Sequence, residues 1–187
     1  EDDLLETYIM QMNRNMIIPF YGIAEETTLY DMKVYRPLLD MPKAKLQEYC
    51  DFHEVPYSID SSNLSDDYTR NEIRHHVIAK FSLEERSKMA FSINVINAKR
   101  KEQVRLASSL FSKDDVIDIK HLLKEDYEVQ LFAIYQLIMK KTSCFDLSNK
   151  FVNEVLKACK SRKPNVEIPF GENLIFVKEY NSLTIDT

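Results

Sequence analysis

Arg70 and Arg74, two guanidiniums four residues apart, follow a polar loop of Asp60, Ser61, Ser62 and Asn63, and an earlier arginine, Arg36, heads the run Pro37, Leu38, Leu39. A guanidinium stays charged at any working pH and is costly to bury unpaired, so such a set calls for an anion opposite. That anion is either a carboxylate such as Asp60 or a bound phosphate. On a helix of 3.6 residues per turn, Arg74 falls about 40° from Arg70, with Val77 and Phe81 each about 20° from it, so both arginines join the inward apolar stripe. The same residues also suit an internal arginine–carboxylate clamp. Near the start of the chain, Asp2 and Glu6 stand at i and i+4, a like-charge pair favoured only beside a cation or at a helix start. Asp3 sits between them. Lys43 opens a helix against the dipole, which points to a partner such as a phosphate.

The elements that must position these groups are legible in outline. Residues 3–13 read as a helix with Leu5, Ile9 and Met12 on one face, and residues 14–32 as irregular. Lys33 to Leu39 reads as a buried strand. Pro42 then opens a helix that turns Leu46, Tyr49 and Cys50 inward and ends near His53. Val55 to Ile59 is a short extended piece; Asp60 to Asn63 is a loop, and Ser65 or Asp66 caps the arginine helix. Strand, helix, strand, loop, helix is the alternation of an α/β domain, whose ligands bind beyond the carboxyl ends of the strands. Leu83 to Phe111 contains neither glycine nor proline and repeats apolar residues at Met89, Ile93, Ile96 and Val104, a long helical connector. Helices near 126–141 and 148–161 precede a hairpin, Val166–Phe170 with Leu174–Tyr180, and a last strand at Leu183–Ile185. The fold class is mainly α with α/β. Its expected parts are 1–80, an α/β domain; 81–112, the connector; and 113–187, a small α+β domain.

Composition narrows the classes. With 187 residues, 44% hydrophobic and 29% charged, the chain can bury two modest cores. No apolar run approaches the roughly 20 residues of a membrane helix, so the expectation is a soluble, cytoplasmic protein with no membrane partner. Cys50, Cys144 and Cys159 show no paired spacing and read as reduced core thiols rather than a disulfide or zinc framework. Glycine occurs only at Gly22 and Gly171, too few for a glycine-rich phosphate cradle. The net charge of -5 is uneven: residues 1–80 hold 15 acidic and 8 basic residues, residues 81–187 hold 15 and 17. The later cations cluster at Lys99, Arg100 and Lys101 with Arg105, at Lys140 and Lys141, and at Lys157, Lys160, Arg162 and Lys163. Such clusters are either nucleic-acid footprints or solvated helix faces.

Taken in order, Asp2-Asp3-Leu4-Leu5-Glu6-Thr7, Arg36-Pro37-Leu38-Leu39 with Lys43, Asp60-Ser61-Ser62-Asn63 and Arg70-Asn71-Glu72-Ile73-Arg74 resemble the tRNA(Ile)-lysidine synthetase family of PP-loop ATP pyrophosphatases. The likeness is strong to about residue 80 and looser through Ile168-Pro169-Phe170-Gly171. It departs at Ala79, where the family commonly has a proline, so this helix is expected to run further. The resemblance implies the C-terminal part of an α/β nucleotide-binding domain, similar to the adenine nucleotide alpha hydrolases, followed by a small tRNA-binding accessory domain. It also implies that the family's S-G-G-x-D-S loop precedes Glu1, so this stretch alone is expected to be inactive.

By resemblance, the whole enzyme uses ATP and Mg2+ to convert the wobble cytidine of a CAU-anticodon tRNA(Ile) to lysidine with L-lysine. Asp2, Asp3, Arg70 and Arg74 are then the expected catalytic residues, with Asp3 a candidate for orienting Mg2+. Glu6, Arg36, Lys43, Asp60, Ser62, Asn63 and Asn71 are the expected substrate or nucleotide contacts, and Lys99, Arg100, Lys101 and Arg105 the RNA contacts. A homodimer stays open. Two other readings also remain: a tRNA 2-thiolase on the same fold, disfavoured by the lack of paired cysteines, and a noncatalytic helical interaction module.

Overall fold

The computed structural model describes residues 2–14, 16–29, 32–39, 41–58, 72–142, 147–171 and 173–186. The chain is mainly helical, with two small antiparallel sheets. It divides into two compact units: Glu1–Arg14 with Phe20–Asn97, and Asn15–Pro19 with Ala98–Thr187. No described helix is long and apolar enough to cross a membrane.

In the first unit, α1 (Asp2–Met12) buries both Leu4 and Leu5 against Ile73, Ile78 and Ile93. Ile9 packs at the edge of this cluster, but Met12 is exposed, so the apolar face ends a turn earlier than its periodicity suggests. The segment after α1 is tied back by side chains. Gly22 N–H donates to Gln11 Oε1 at 2.6 Å, and Asn97 exchanges two 2.8 Å hydrogen bonds with the backbone of Tyr21. Gly22 has φ of +74°, and a Cβ there would lie 3.0 Å from Leu4 Cγ, so glycine is required for both conformation and space.

The stretch expected to be irregular contains β1 (Glu26–Leu29), paired antiparallel with β2 (Met32–Tyr35). β2 is therefore an exposed hairpin strand ending at Tyr35, not a buried strand running to Leu39. α2 (Lys43–Phe52) follows, with Pro42 one position earlier than expected, at the cap. None of its residues is buried, so Leu46, Tyr49 and Cys50 do not form an inward face within this unit. It ends with Glu54 at φ of 54° and Val55 N–H bonded to Cys50 O at 2.9 Å, a left-handed helix stop that usually takes glycine. Val55 to Ser58 forms no strand; Ile59 lies outside the described residues.

The arginine segment departs most from expectation. Ile73–Val77 is a π-helical turn and Ile78–Lys80 a 3-10 turn, so the 3.6-residue period does not apply. Ile73 and Ile78, five apart, are the buried pair, while Val77 is exposed. The helix runs only one residue past Ala79: after Lys80, Phe81 is extended, with φ of -91° and ψ of 137°. α3 (Leu83–Ser109) then starts from a capping box in which Ser82 N–H donates to Glu85 Oε2 at 2.8 Å.

The second unit has its own core. α5 (Tyr127–Met139) is buried along most of its length and, with the amphipathic α6 (Asn149–Lys160), covers a four-stranded sheet. The sheet order is β3 (Ile117–Asp118), β6 (Ser182–Asp186), β5 (Leu174–Glu179), β4 (Asn165–Phe170), antiparallel throughout. The short β3 and the single-turn α4 (Ile119–Leu122) that follows it were not foreseen. Phe132, Ile134, Val152, Val155, Phe176 and Leu183 form the centre of this core. The hairpin turn closes at Gly171, φ of +63°.

Candidate functional site

The described part of the arginine–carboxylate set meets at α1. Arg74 Nε donates to Glu6 Oε1 at 2.5 Å and Nη2 donates to Glu6 Oε2 at 3.1 Å, a two-pronged pair. Glu6 is 0% exposed, set among the apolar residues of the first core. Arg74 Nη2 also stands 3.5 Å from Asp3 Oδ1, whose side chain is 61% exposed. Asp3 and Glu6 are three apart, so one face of α1 presents both carboxylates to the guanidinium. The π-helical turn makes this possible: it buries Ile73 and Ile78 on one side and leaves Arg74 at the boundary, a quarter exposed. The anion opposite Arg74 is thus Glu6 with Asp3.

Arg36 is held differently. Its N–H bonds to Glu25 O at 2.8 Å and its Nη1 to Ala24 O at 3.0 Å, prolonging the hairpin at the end of β2. Lys43, the first residue of α2, is exposed. Asp60, Ser62, Asn63, Arg70 and Asn71, with the Ser65 or Asp66 cap, lie outside the described residues, as do Cys144 and the side chain of Asp2. Among the described residues no three histidine, cysteine, aspartate or glutamate side chains gather to hold a metal.

The expected RNA patch on α3 splits. Lys99 and Lys101 are exposed. Arg100 instead donates to Ile18 O and lies 5.7 Å from the Phe132 ring centroid, packed within its unit. Arg105 is paired to Glu102 at 2.6 Å on the helix surface. The exposed cations in the 157–163 turn are Lys157, Lys160, Arg162 and Lys163. Cys159 is buried, and burial pushes its thiol up to about 11, so it is an inert core thiol.

One feature of the first unit was missed. Leu38, Met41, Leu46, Tyr49 and Phe52, with Lys45 and Glu48, line an apolar cavity of about 670 Å³. Phe52 is 81% exposed beside it. The signal was present: Leu46 and Tyr49 stand at helical spacing on α2 and were read as facing inward, yet none of the described residues of this unit buries them.

A PP-loop domain profile matches residues 1–81. The tRNA(Ile)-lysidine synthase of Mycoplasma mycoides subsp. mycoides SC is 27% identical over 192 residues, covering 98% of this chain and 47% of that protein. That of Ureaplasma parvum is 31% identical over 155 residues, 81% of this chain and 46% of its own length. That of Mesoplasma florum is 28% identical over 193 residues, 98% and 47%. The chain spans about half the length of the curated relatives it matches. The likeness runs from the carboxylates on α1 and the Arg74 turn through the small second unit, and over nearly all of its length the chain is similar to tRNA(Ile)-lysidine synthases.

Proposed function

We propose that this chain is part of an ATP-dependent ligase that converts the wobble cytidine of a CAU-anticodon tRNA(Ile) to lysidine. The first unit is read as the C-terminal portion of the nucleotide-binding domain. The observation that carries the reading is the Asp3–Glu6–Arg74 arrangement, set in a chain similar along its length to lysidine synthases. ATP supplies the adenylyl group that activates the cytidine C2 oxygen, with release of pyrophosphate. In the second step the ε-amine of lysine forms a C–N bond at C2, the bond from C2 to the adenylated oxygen breaks, and AMP leaves with that oxygen.

The residues here contribute charge and a proton acceptor. Buried Glu6 fixes Arg74, and Arg74 in turn holds Asp3 with its carboxylate open to solvent, where it accepts the proton lost by the attacking amine. Arg36 and Arg70 are proposed to face the phosphate charge that develops on activation. In the alternative role, the exposed carboxylate of Asp3 would instead help hold Mg2+, which commonly takes one or two carboxylates and completes its shell with phosphate oxygens and water. Neither glycine lies in a phosphate-cradling turn: Gly22 packs on Leu4 and Gly171 closes a hairpin. The 2-thiolase reading is disfavoured by the inert Cys159, and the noncatalytic module by the synthase relatives.

The test is transfer of labelled lysine to CAU-anticodon tRNA(Ile) by the full-length protein, with a methionine-accepting tRNA as control. Selective, ATP-dependent incorporation is expected, and Arg70→Ala should abolish it while leaving the melting temperature unchanged. A folded, ATP-binding protein that transfers no lysine would overturn the reading. Sedimentation of the same protein decides between monomer and homodimer.

A further inference from the structure

The buried face of α6 carries Val152, Val155, Leu156 and Cys159, and its far end exposes Lys157 and Lys160. The chain leaves the helix through Ser161 into Arg162 and Lys163, both exposed. Among the described residues, none of these four cations has a carboxylate within salt-bridge distance, whereas Lys88, Arg105 and Lys140 are each paired. A helix C-terminus attracts cations, which alone would explain two lysines in the last turn. Here that role is already filled from inside. Lys178 on β5, only 4% exposed, points its Nζ at the end of α6 and donates to Ala158 O at 3.0 Å and Ser161 O at 2.8 Å. The four outer cations are not needed as caps, and Arg162 and Lys163 lie beyond the helix altogether.

A second contact fixes the same turn. Tyr180 N–H donates to Pro164 O at 2.7 Å, which places the β5–β6 turn beside the residue after Lys163. Tyr180 adopts φ of 51°, a left-handed conformation that a bulky side chain rarely takes, and the residue is 78% exposed. A large aromatic held out to solvent at a strained backbone position, hydrogen-bonded to the residue after Lys163 on a turn that follows the four cations, combines a phosphate-binding arc with a stacking platform. Glu154, Glu167 and Glu179 are also exposed nearby in sequence, and none bridges to these cations.

We propose that the end of α6 and the β5–β6 turn form a contact surface for tRNA, with Lys157, Lys160, Arg162 and Lys163 on the backbone phosphates and Tyr180 stacked on an unpaired base. This rests on the proposed tRNA substrate and moves the principal RNA contact of the second unit away from α3.

The experiment measures anisotropy of labelled CAU-anticodon tRNA with the full-length protein as salt is raised, alongside lysine transfer and thermal melts. Replacing all four cations by serine is expected to weaken binding at least tenfold at low salt and to make the log–log salt slope shallower by about 2–4. Tyr180→Asn, which suits the left-handed backbone, is expected to weaken binding roughly tenfold with the slope unchanged. Should the helix substitutions perturb folding, Arg162→Ser with Lys163→Ser, outside the helix, carries the test with about half the slope change. Wild-type affinity and slope in these variants, with lysine transfer intact, would overturn this surface alone and leave it to contact another part of the protein. A wild-type protein that binds no tRNA and transfers no lysine would overturn both this surface and the function on which it rests.

Discussion

Arg74 grips Glu6 with two nitrogens, at 2.5 and 3.1 Å, and Glu6 has no exposed surface at all. A carboxylate in that position depends on its partner, because a buried charge left alone costs far more than the pair contributes.

Arg74→Ala is therefore expected to destabilise the protein by about 3 kcal/mol, since it takes a two-pronged, charge-assisted pair away from a fully buried carboxylate. The double change Glu6→Leu with Arg74→Met should recover most of that loss. Urea unfolding of the three variants checks this. An Arg74→Ala midpoint equal to wild type would mean that the pair does not hold the first unit together. Loss of activity in Arg74→Ala is accordingly no measure of catalysis without its melt.

Gly22→Ala should cost roughly 1–3 kcal/mol, because φ of +74° disfavours a side chain and the new Cβ would meet Leu4 Cγ at 3.0 Å and Leu4 O at 3.2 Å. Gly171→Ala, with the same sign of φ but open space around it, should cost less. Equal melting temperatures for the two variants would contradict the packing argument.

Arg100 and Lys99 are neighbours with opposite expectations. Arg100→Glu breaks the bond to Ile18 O and the contact over Phe132, so it should lower the melting temperature. Lys99→Glu, at an exposed helix position, should stay within about 0.5 kcal/mol of wild type. Thermal melts decide, and matched losses would show that Arg100 is no more embedded than Lys99.

Cys159 ties stability to alkaline pH. Burial raises its folded pKa from 9.0 to about 11, so the neutral thiol is the form the folded state holds. Its contribution is complete below pH 9 and is lost as pH rises toward 11, because the unfolded chain releases the proton first. Across that window the slope is about 1.4 kcal/mol per pH unit. Cys159→Ala should remove that slope even if it lowers stability overall. Alkylation of the native protein at pH 8, mapped by mass spectrometry, should mark Cys50 well before Cys159.

Where a residue pattern is governed by one regular period, the sequence was readable. α6 and the β4–β5 hairpin lie within a residue or so of their expected limits because amphipathic spacing and Gly171 mark them. β1 escaped notice because Glu26-Thr27-Thr28-Leu29 is a short, mostly polar run that becomes a strand only by pairing with β2. α2 was assigned an inward face because Leu46 and Tyr49 are apolar, yet burial depends on a neighbour that spacing cannot reveal. At the site, an anion opposite the arginines was demanded on energetic grounds, with a carboxylate such as Asp60 or a bound phosphate named for it, and the described structure sets Glu6 and Asp3 against Arg74. The distance from residue 6 to residue 74 along the chain hides their meeting, and the spacing rule for Arg74 assumed an α-helix where the backbone takes a wider turn.

That wider turn has a consequence for how the segment tolerates change in length. Ile73 and Ile78 are both buried while five positions apart, whereas an ordinary helix would bring two isoleucines to one face at a separation of four. The stretch thus holds one residue of slack. Removing a residue between them, at His75 or His76, would leave both isoleucines able to reach the core through a regular turn, so a deletion that would wreck the register of any other helix here should be absorbed at this one.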